Sequence, residues 1–236
     1  MNKVKEYFSG WTVFEYLLII ISTVLIAVSS FMWQSPWYSY VASITGIWCV
    51  VLVAKGRISN YWFGLVNVLF YAYSAYMWKL YGEVMLNMIY FLPMQFYGFW
   101  VWTRKSNIES KDAIKVKFLS NKMRIVWGII TAIGVFGYKL VLEAMGGNLP
   151  LVDSMSTVLS VIAMILMARR YMEQWILWIV VDVVSVIMWF TVIFKQGGND
   201  MALLIMWLSY GGNAIYGCIN WIKMYQKQKI DYLVKA

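Results

Sequence analysis

Runs of about twenty apolar residues, repeated along most of the chain and separated by short polar turns, leave this polypeptide one medium in which to fold. A run of that length is what an α-helix needs to cross the ~30 Å hydrocarbon core of a bilayer. In lipid every backbone N–H and C=O has to be satisfied within the structure itself, which a helix does unaided. With 236 residues, 62% of them hydrophobic and 13% charged, little chain remains for a water-soluble domain. The pattern predicts an all-α polytopic membrane protein with eight transmembrane helices, at roughly 12–34, 37–54, 60–79, 83–103, 122–145, 150–168, 174–195 and 200–224.

A net charge of +9 would suggest a nucleic-acid partner in a soluble protein, but in a membrane chain the placement of the charges carries the information. With the N-terminus on the cytosolic side, Lys3, Lys5, Lys55, Arg57, the basic residues from Arg104 to Arg124, Arg169, Arg170, Lys223, Lys227, Lys229 and Lys235 all fall inside. Only Lys79, Lys139 and Lys195 fall on the other face. Both termini are therefore expected in the cytosol, with a bilayer and no nucleic acid as partner. The first helix carries Glu15 near its start and lacks a small-residue cleavage site, which reads as a retained anchor. Cys49 and Cys218 lie in apolar segments and histidine is absent, so neither a disulfide framework, a His-based metal site nor a His general base is expected. No cofactor is implied.

The chain repeats itself. Tyr97-Gly98-x-x-x-Trp102 recurs as Tyr216-Gly217-x-x-x-Trp221, 119 residues on, while Asn67 aligns with Asp182, Gly82 with Gly197 and Lys55 with Arg170 at an offset of 115. A four-residue insertion after Gly197 reconciles the two offsets. The expected organisation is an N-terminal helix (1–36), a first three-helix repeat (37–103), a cytosolic linker and connecting helix (104–149), a second three-helix repeat (150–224) and a basic tail (225–236). Three helices plus one connecting helix is an even number, so both triplets enter the membrane in the same direction: a 3+1+3 core of parallel repeats behind one added helix. Carriers built on such repeats bind solute near the bilayer midplane, where the halves meet.

Asp182 is the ionisable residue placed near the middle of an otherwise apolar span, where a carboxylate costs about 2.5–3.5 kcal/mol on insertion scales. Either it faces a solute or wet cavity, or it is neutral or paired within the bundle. At about 100° per residue, Asn87, Tyr90 and Gln95 share a polar and aromatic face of helix four, and Trp178 and Asp182 share one of helix seven. Asn67 in helix three, Trp207, Tyr210 and Asn213 in helix eight, and Trp48 deep in helix two complete a candidate solute site. The carboxamides either join helices or read a polar solute; the aromatic faces would suit a flat cationic ring. Pro93 cannot donate to the Ile89 carbonyl and so loosens helix four between Tyr90 and Gln95, as a hinge or a static kink.

The stretch Asn87-x-x-Tyr90-x-x-x-x-Gln95-x-Tyr97-Gly98-x-x-x-Trp102, with KGRISNYWFGLVN at 55–67, LYGEVMLN at 80–87 and RRYMEQWILWIVVD at 169–182, resembles the PnuC family of nicotinamide riboside transporters. The resemblance covers nearly everything after helix one. It implies a three-plus-one-plus-three core like that of the SWEET sugar carriers, a bacterial inner-membrane location, a homotrimer, and facilitated diffusion of nicotinamide riboside drawn inward by cytosolic phosphorylation. It also places Asn87, Tyr90, Gln95 and Trp178 among the binding residues, whereas Asp182, Tyr210 and Asn213 come from the helix faces alone. A pyridinium ring, a carboxamide and a ribose call for aromatic, amide and hydroxyl partners, and the inventory supplies them. No GxxxxGK[ST] loop occurs, so no ATPase is indicated. An alternating-access carrier is the leading expectation and an enzyme is not expected. Alternatives are a carrier of another flat vitamin, thiamin or riboflavin, and a non-transporting sensor or scaffold.

Overall fold

The computed structural model describes residues 11–54, 58–105, 116–169 and 171–235. It is all-helical among these residues apart from a single isolated bridge, Lys117 to Tyr171. Eight rods appear in chain order: α1 (Val13–Trp33), α2 (Trp37–Ala54), α3 (Asn60–Met77), α4, α5 (Asn121–Ala144), α6 (Pro150–Ala168), α7 (Glu173–Gln196) and α8 (Met201–Lys235). Rod α4 is composite: an α-helical turn Tyr81–Met85, a π-helical turn Leu86–Phe91 and an α-helix Leu92–Lys105. Five helices, α1, α5, α6, α7 and α8, are long and apolar enough to cross a membrane by length and composition, and Trp37–Leu52 of α2 is a shorter apolar helix. The expected cytosolic linker lies largely at 106–115, outside the described residues. The basic tail read from 225 onward is not a separate segment: α8 continues through Lys235.

Local chemistry accounts for the helix ends. Thr12 and Glu15 form a reciprocal capping box that starts α1. The Ser120 hydroxyl accepts from the Met123 amide to start α5, and Pro150 occupies the first turn of α6. Gly197, at φ 75°, ends α7 in the left-handed region where a side chain would be strained. α4 begins at Tyr81 rather than 83, which places Glu83 inside the helix and buries it. The loosening expected at Pro93 sits one turn earlier. The Leu92 amide donates to the Asn87 carbonyl, five residues back, so the widened turn closes just before the residue that has no N–H to give.

The helices pack as a closed ring. α2 packs on α3, α3 on α4, α4 on α6, α6 on α7, α7 on α8 and α8 back on α2. α1 lies outside this ring against α2 and α8, and α5 lies outside it against α6. The large exposed apolar side chains of α1 and α5, such as Ile20, Phe31, Ile133 and Phe136, are what lipid contact requires. Two contact zones outside the α2–α4 and α6–α8 runs close the ring, and both are polar. Asp153 of α6 accepts from the Gly82 and Glu83 amides at the start of α4, at 2.7 and 2.8 Å. Asp200, just before α8, accepts from the Ser39 hydroxyl of α2 and, at 2.6 Å, from the Trp78 indole.

All four loops of one face meet there. Ser35 donates to the Asn199 carbonyl, the Asn148 amide donates to the Lys79 carbonyl, and Asn148 and Gln196 exchange side-chain hydrogen bonds. We refer to this as the far face. The opposite, basic face carries the 116–120 segment, which docks on Tyr171 and Met172, and Glu173, which accepts from the Leu119 amide and pairs with Arg124 at 2.8 Å. The hydrophobic core fills the far half of the ring, around Ala75, Leu80, Trp189, Val192 and Leu203. The half toward the basic face holds a cavity.

Candidate functional site

The cavity has a volume of about 510 Å³, in the range of small-molecule sites, and its wall is drawn from α2, α3, α4, α6, α7 and α8. Eight of the residues predicted from the sequence line it: Asn67 from α3, Asn87 and Gln95 from α4, Trp178 and Asp182 from α7, and Trp207, Tyr210 and Asn213 from α8. Trp48 and Tyr90 do not. Trp48 is turned toward the ring's outside, stacked on Phe63 at 5.7 Å and edge-on to Trp11; Cys49 and Val50 face the cavity in its place. Depth along a helix says nothing about azimuth, and depth was all that favoured Trp48. Tyr90 is half-buried against Phe91. It lies in the π turn, where the uniform 100° step assumed for a helical wheel fails.

Each carboxamide is held by its surroundings. Asn67 donates to the Ala42 carbonyl of α2 at 2.8 Å, leaving its oxygen toward the cavity side of α3. Asn87 donates to the Glu83 carbonyl at 2.8 Å from within the π turn. Gln95 lies directly over Gly64, whose absent Cβ would stand 2.5 Å from the Gln95 oxygen, so α3 and α4 approach closely only because this position has no side chain. The Tyr210 hydroxyl rests in the same way against Gly46 of α2.

Asp182 is 5% exposed, and among the described residues it accepts no hydrogen bond. Trp178 stands one turn before it on the same cavity-facing side of α7, and Tyr210 approaches it from α8. Among the described residues no lysine or arginine lines the cavity. The wall is therefore aromatic, rich in amides and net acidic. Such a surface can stack a flat ring, bond a carboxamide or hydroxyls, and attract positive charge.

Sequence reading missed a second acidic group. Glu83 is buried at the far end of the cavity, where it accepts from Ser156 and neighbours the Tyr71 hydroxyl. Tyr71 in turn accepts from the indoles of Trp189 at 3.1 Å and Trp207 at 3.2 Å, which fixes the ring of Trp207 at the wall. The available signal was spacing: Glu83 lies four residues before Asn87 and so on the same helix face, but it was counted as a helix end. Tyr61 was also missed as a wall residue; Trp175, which shares the helix-seven face of Trp178 and Asp182, lines the wall with them. The Tyr61 ring sits on Gly98 and the Trp175 ring on Gly217, where a Cβ would clash at 2.4 and 2.2 Å. These are the two glycines of the repeated Tyr-Gly pair, each used as a seat for a ring from the preceding helix of its own triplet.

A family model described as nicotinamide mononucleotide transporter matches residues 36–223. The chain is similar to the nicotinamide riboside transporter PnuC of Neisseria mucosa, at 40% identity over 94% of this chain and 86% of that protein. It is similar to the protein of the same name from Haemophilus influenzae, at 34% identity over 94% and 96%, and to that from Escherichia coli, at 29% over 79% and 85%. A solved structure, the crystal structure of the vitamin B3 transporter PnuC, superposes with a TM-score of 0.77 at 38% identity, covering 95% of this chain and 97% of that one.

Proposed function

This chain belongs to the PnuC family of nicotinamide riboside transporters, and from that premise we propose that it takes up nicotinamide riboside through the cavity between its two triplets. It is a membrane transporter and not an enzyme. The observation that carries the substrate is the wall, which among the described residues has indoles and phenols, five carboxamides, two carboxylic acids and no basic side chain. Indole faces suit the pyridinium ring, Asn87, Gln95 and Asn213 suit its carboxamide and the ribose hydroxyls, and the acidic balance suits the positive charge.

The same wall distinguishes the riboside from its 5′-phosphate. A phosphate calls for arginine, lysine or free helix N-terminal amides. Among the described residues the cavity offers no such cation, and the Gly82 and Glu83 amides are already taken by Asp153. The riboside, rather than the mononucleotide, is the better fit to this chain.

The closed ring supports a 3+1+3 reading in which α2–α4 and α6–α8 are duplicated, parallel repeats that rock about the cavity to expose it alternately. Facilitated diffusion is the mode the family resemblance favours: flux follows the gradient, and phosphorylation of the riboside in the cytosol keeps it running inward. The concentration of basic residues on one face supports a bacterial inner-membrane orientation with that face and both termini cytosolic. A homotrimer is the assembly the family resemblance favours.

The test is uptake of labelled nicotinamide riboside by proteoliposomes, challenged with unlabelled competitors. Unlabelled riboside should abolish the signal, while nicotinamide mononucleotide, thiamin and riboflavin should leave it nearly intact. Inhibition by thiamin at concentrations equal to those of the riboside would overturn the assignment, and binding without flux would turn the protein into a sensor.

A further inference from the structure

Asp182 differs from every other buried acid of this bundle. Asp153 accepts two backbone amides, Asp200 accepts a hydroxyl and an indole, and Glu83 accepts a hydroxyl beside Tyr71. Each of these is a structural joint between helices. Asp182 is 5% exposed, against 1% for each of those three; it accepts nothing from the described residues and lies on the cavity wall. A buried carboxylate without a partner is costly, and among the described residues no basic side chain lines the cavity to offset it. A partner brought by the solute would.

The neighbouring residues define what kind of partner. Trp178 precedes Asp182 by four residues on α7, so an indole face and a carboxylate lie one turn apart on one side of the helix. A ring stacked on Trp178 would hold its edge toward Asp182, and Tyr210 borders the same corner from α8. Stacking on an indole favours a cationic ring only modestly, whereas a carboxylate beside the ring acts on its charge directly.

We propose that Asp182 makes this transporter selective for the oxidised, positively charged nicotinamide ring over the neutral dihydronicotinamide ring of the same riboside. This deepens the transport reading above and rests on it. The two ribosides share the carboxamide, the ribose and the glycosidic bond, and the reduced ring is nearly the same size. Charge is the property that most separates them, so a site using only stacking and amide bonds would keep no more than the modest preference of an indole face for a cation.

The experiment is calorimetric binding of nicotinamide riboside and of its 1,4-dihydro form to the purified full-length protein, wild type and Asp182→Asn. Wild type should bind the cationic form at least ten-fold tighter. Asp182→Asn should bring the two affinities within two- to three-fold of each other, chiefly by weakening the cation, with the dihydro form still bound as proof that the variant is folded. Asp200→Asn should retain the preference, because that carboxylate lies at the far face, off the cavity wall, and is held by Ser39 and Trp78. An unchanged ratio in Asp182→Asn would overturn the proposal, as would equal affinities in wild type or loss of the ratio in Asp200→Asn. Failure of wild type to bind either riboside would instead sink the substrate assignment itself.

Discussion

Single side chains decide how the cavity reads a solute, and two of them give direct tests. Gln95→Ala and Trp178→Ala should each weaken nicotinamide riboside binding by at least about 1 kcal/mol, through loss of a carboxamide partner and of a stacking face. Titration calorimetry on folded protein checks both. Gly64→Ala is a subtler probe. The new methyl group would meet the flexible end of Gln95 rather than backbone, so the fold should persist while the carboxamide is pushed from its place. Affinity should fall nearly as far as in Gln95→Ala, with the thermal transition little changed. Asp182, Asn67, Asn87, Gln95 and the polar face of α8 were legible in the sequence because polar groups amid apolar runs have few places to go. Glu83 was hidden by a two-residue error in where α4 starts, whereas Tyr71 shares the helix face of Asn67, four residues on.

Helices and their joints set what the residues can do. All eight rods were legible from hydropathy and terminal signals, since length and apolarity are local properties. The π turn was not, because nothing in residues 86–91 alone announces it; its presence explains why Tyr90 falls off the wall while Asn87 and Gln95 stay on it. If Pro93 and this turn act as a hinge, Pro93→Ala restores a donor to the Ile89 carbonyl and stiffens α4. The expected result is slower riboside uptake at unchanged affinity, read by comparing flux with calorimetry. The loop before α8 offers a pH test. Burial raises the Asp200 carboxyl above the usual carboxylate range, against the opposing pull of hydrogen bonds from Ser39 and Trp78. An acid so raised contributes stability that is complete below its unfolded value and is lost as pH climbs through the folded value. Asp200→Asn, fixed in the neutral form, should not show that loss. Apparent melting of wild type and variant in detergent across mildly acidic to neutral pH would separate the two curves.

At the scale of the whole molecule, the duplication noticed in the sequence supports the arrangement proposed for the ring. The paired contacts are not copies of one another: one zone keeps its carboxylate on the first helix of a triplet, Asp153, and the other keeps it beside the third, Asp200. No alignment of residues at a fixed offset could have exposed that swap, because only the location of the joint is shared and the donors and acceptors have changed sides. Both joints, however, lie at the far face, together with the knitted loops and the densest part of the core. The two halves are in effect riveted at one end, like the blades of shears. Spreading the handles toward the basic face leaves the rivets in place; exposing the far side means drawing both of them. Severing the rivets one at a time, by Ser39→Ala or Asp153→Asn, would therefore ease opening at that side alone, and the lopsidedness would register as faster labelling of Cys49, on the cavity wall, by a membrane-impermeant thiol reagent applied from that side.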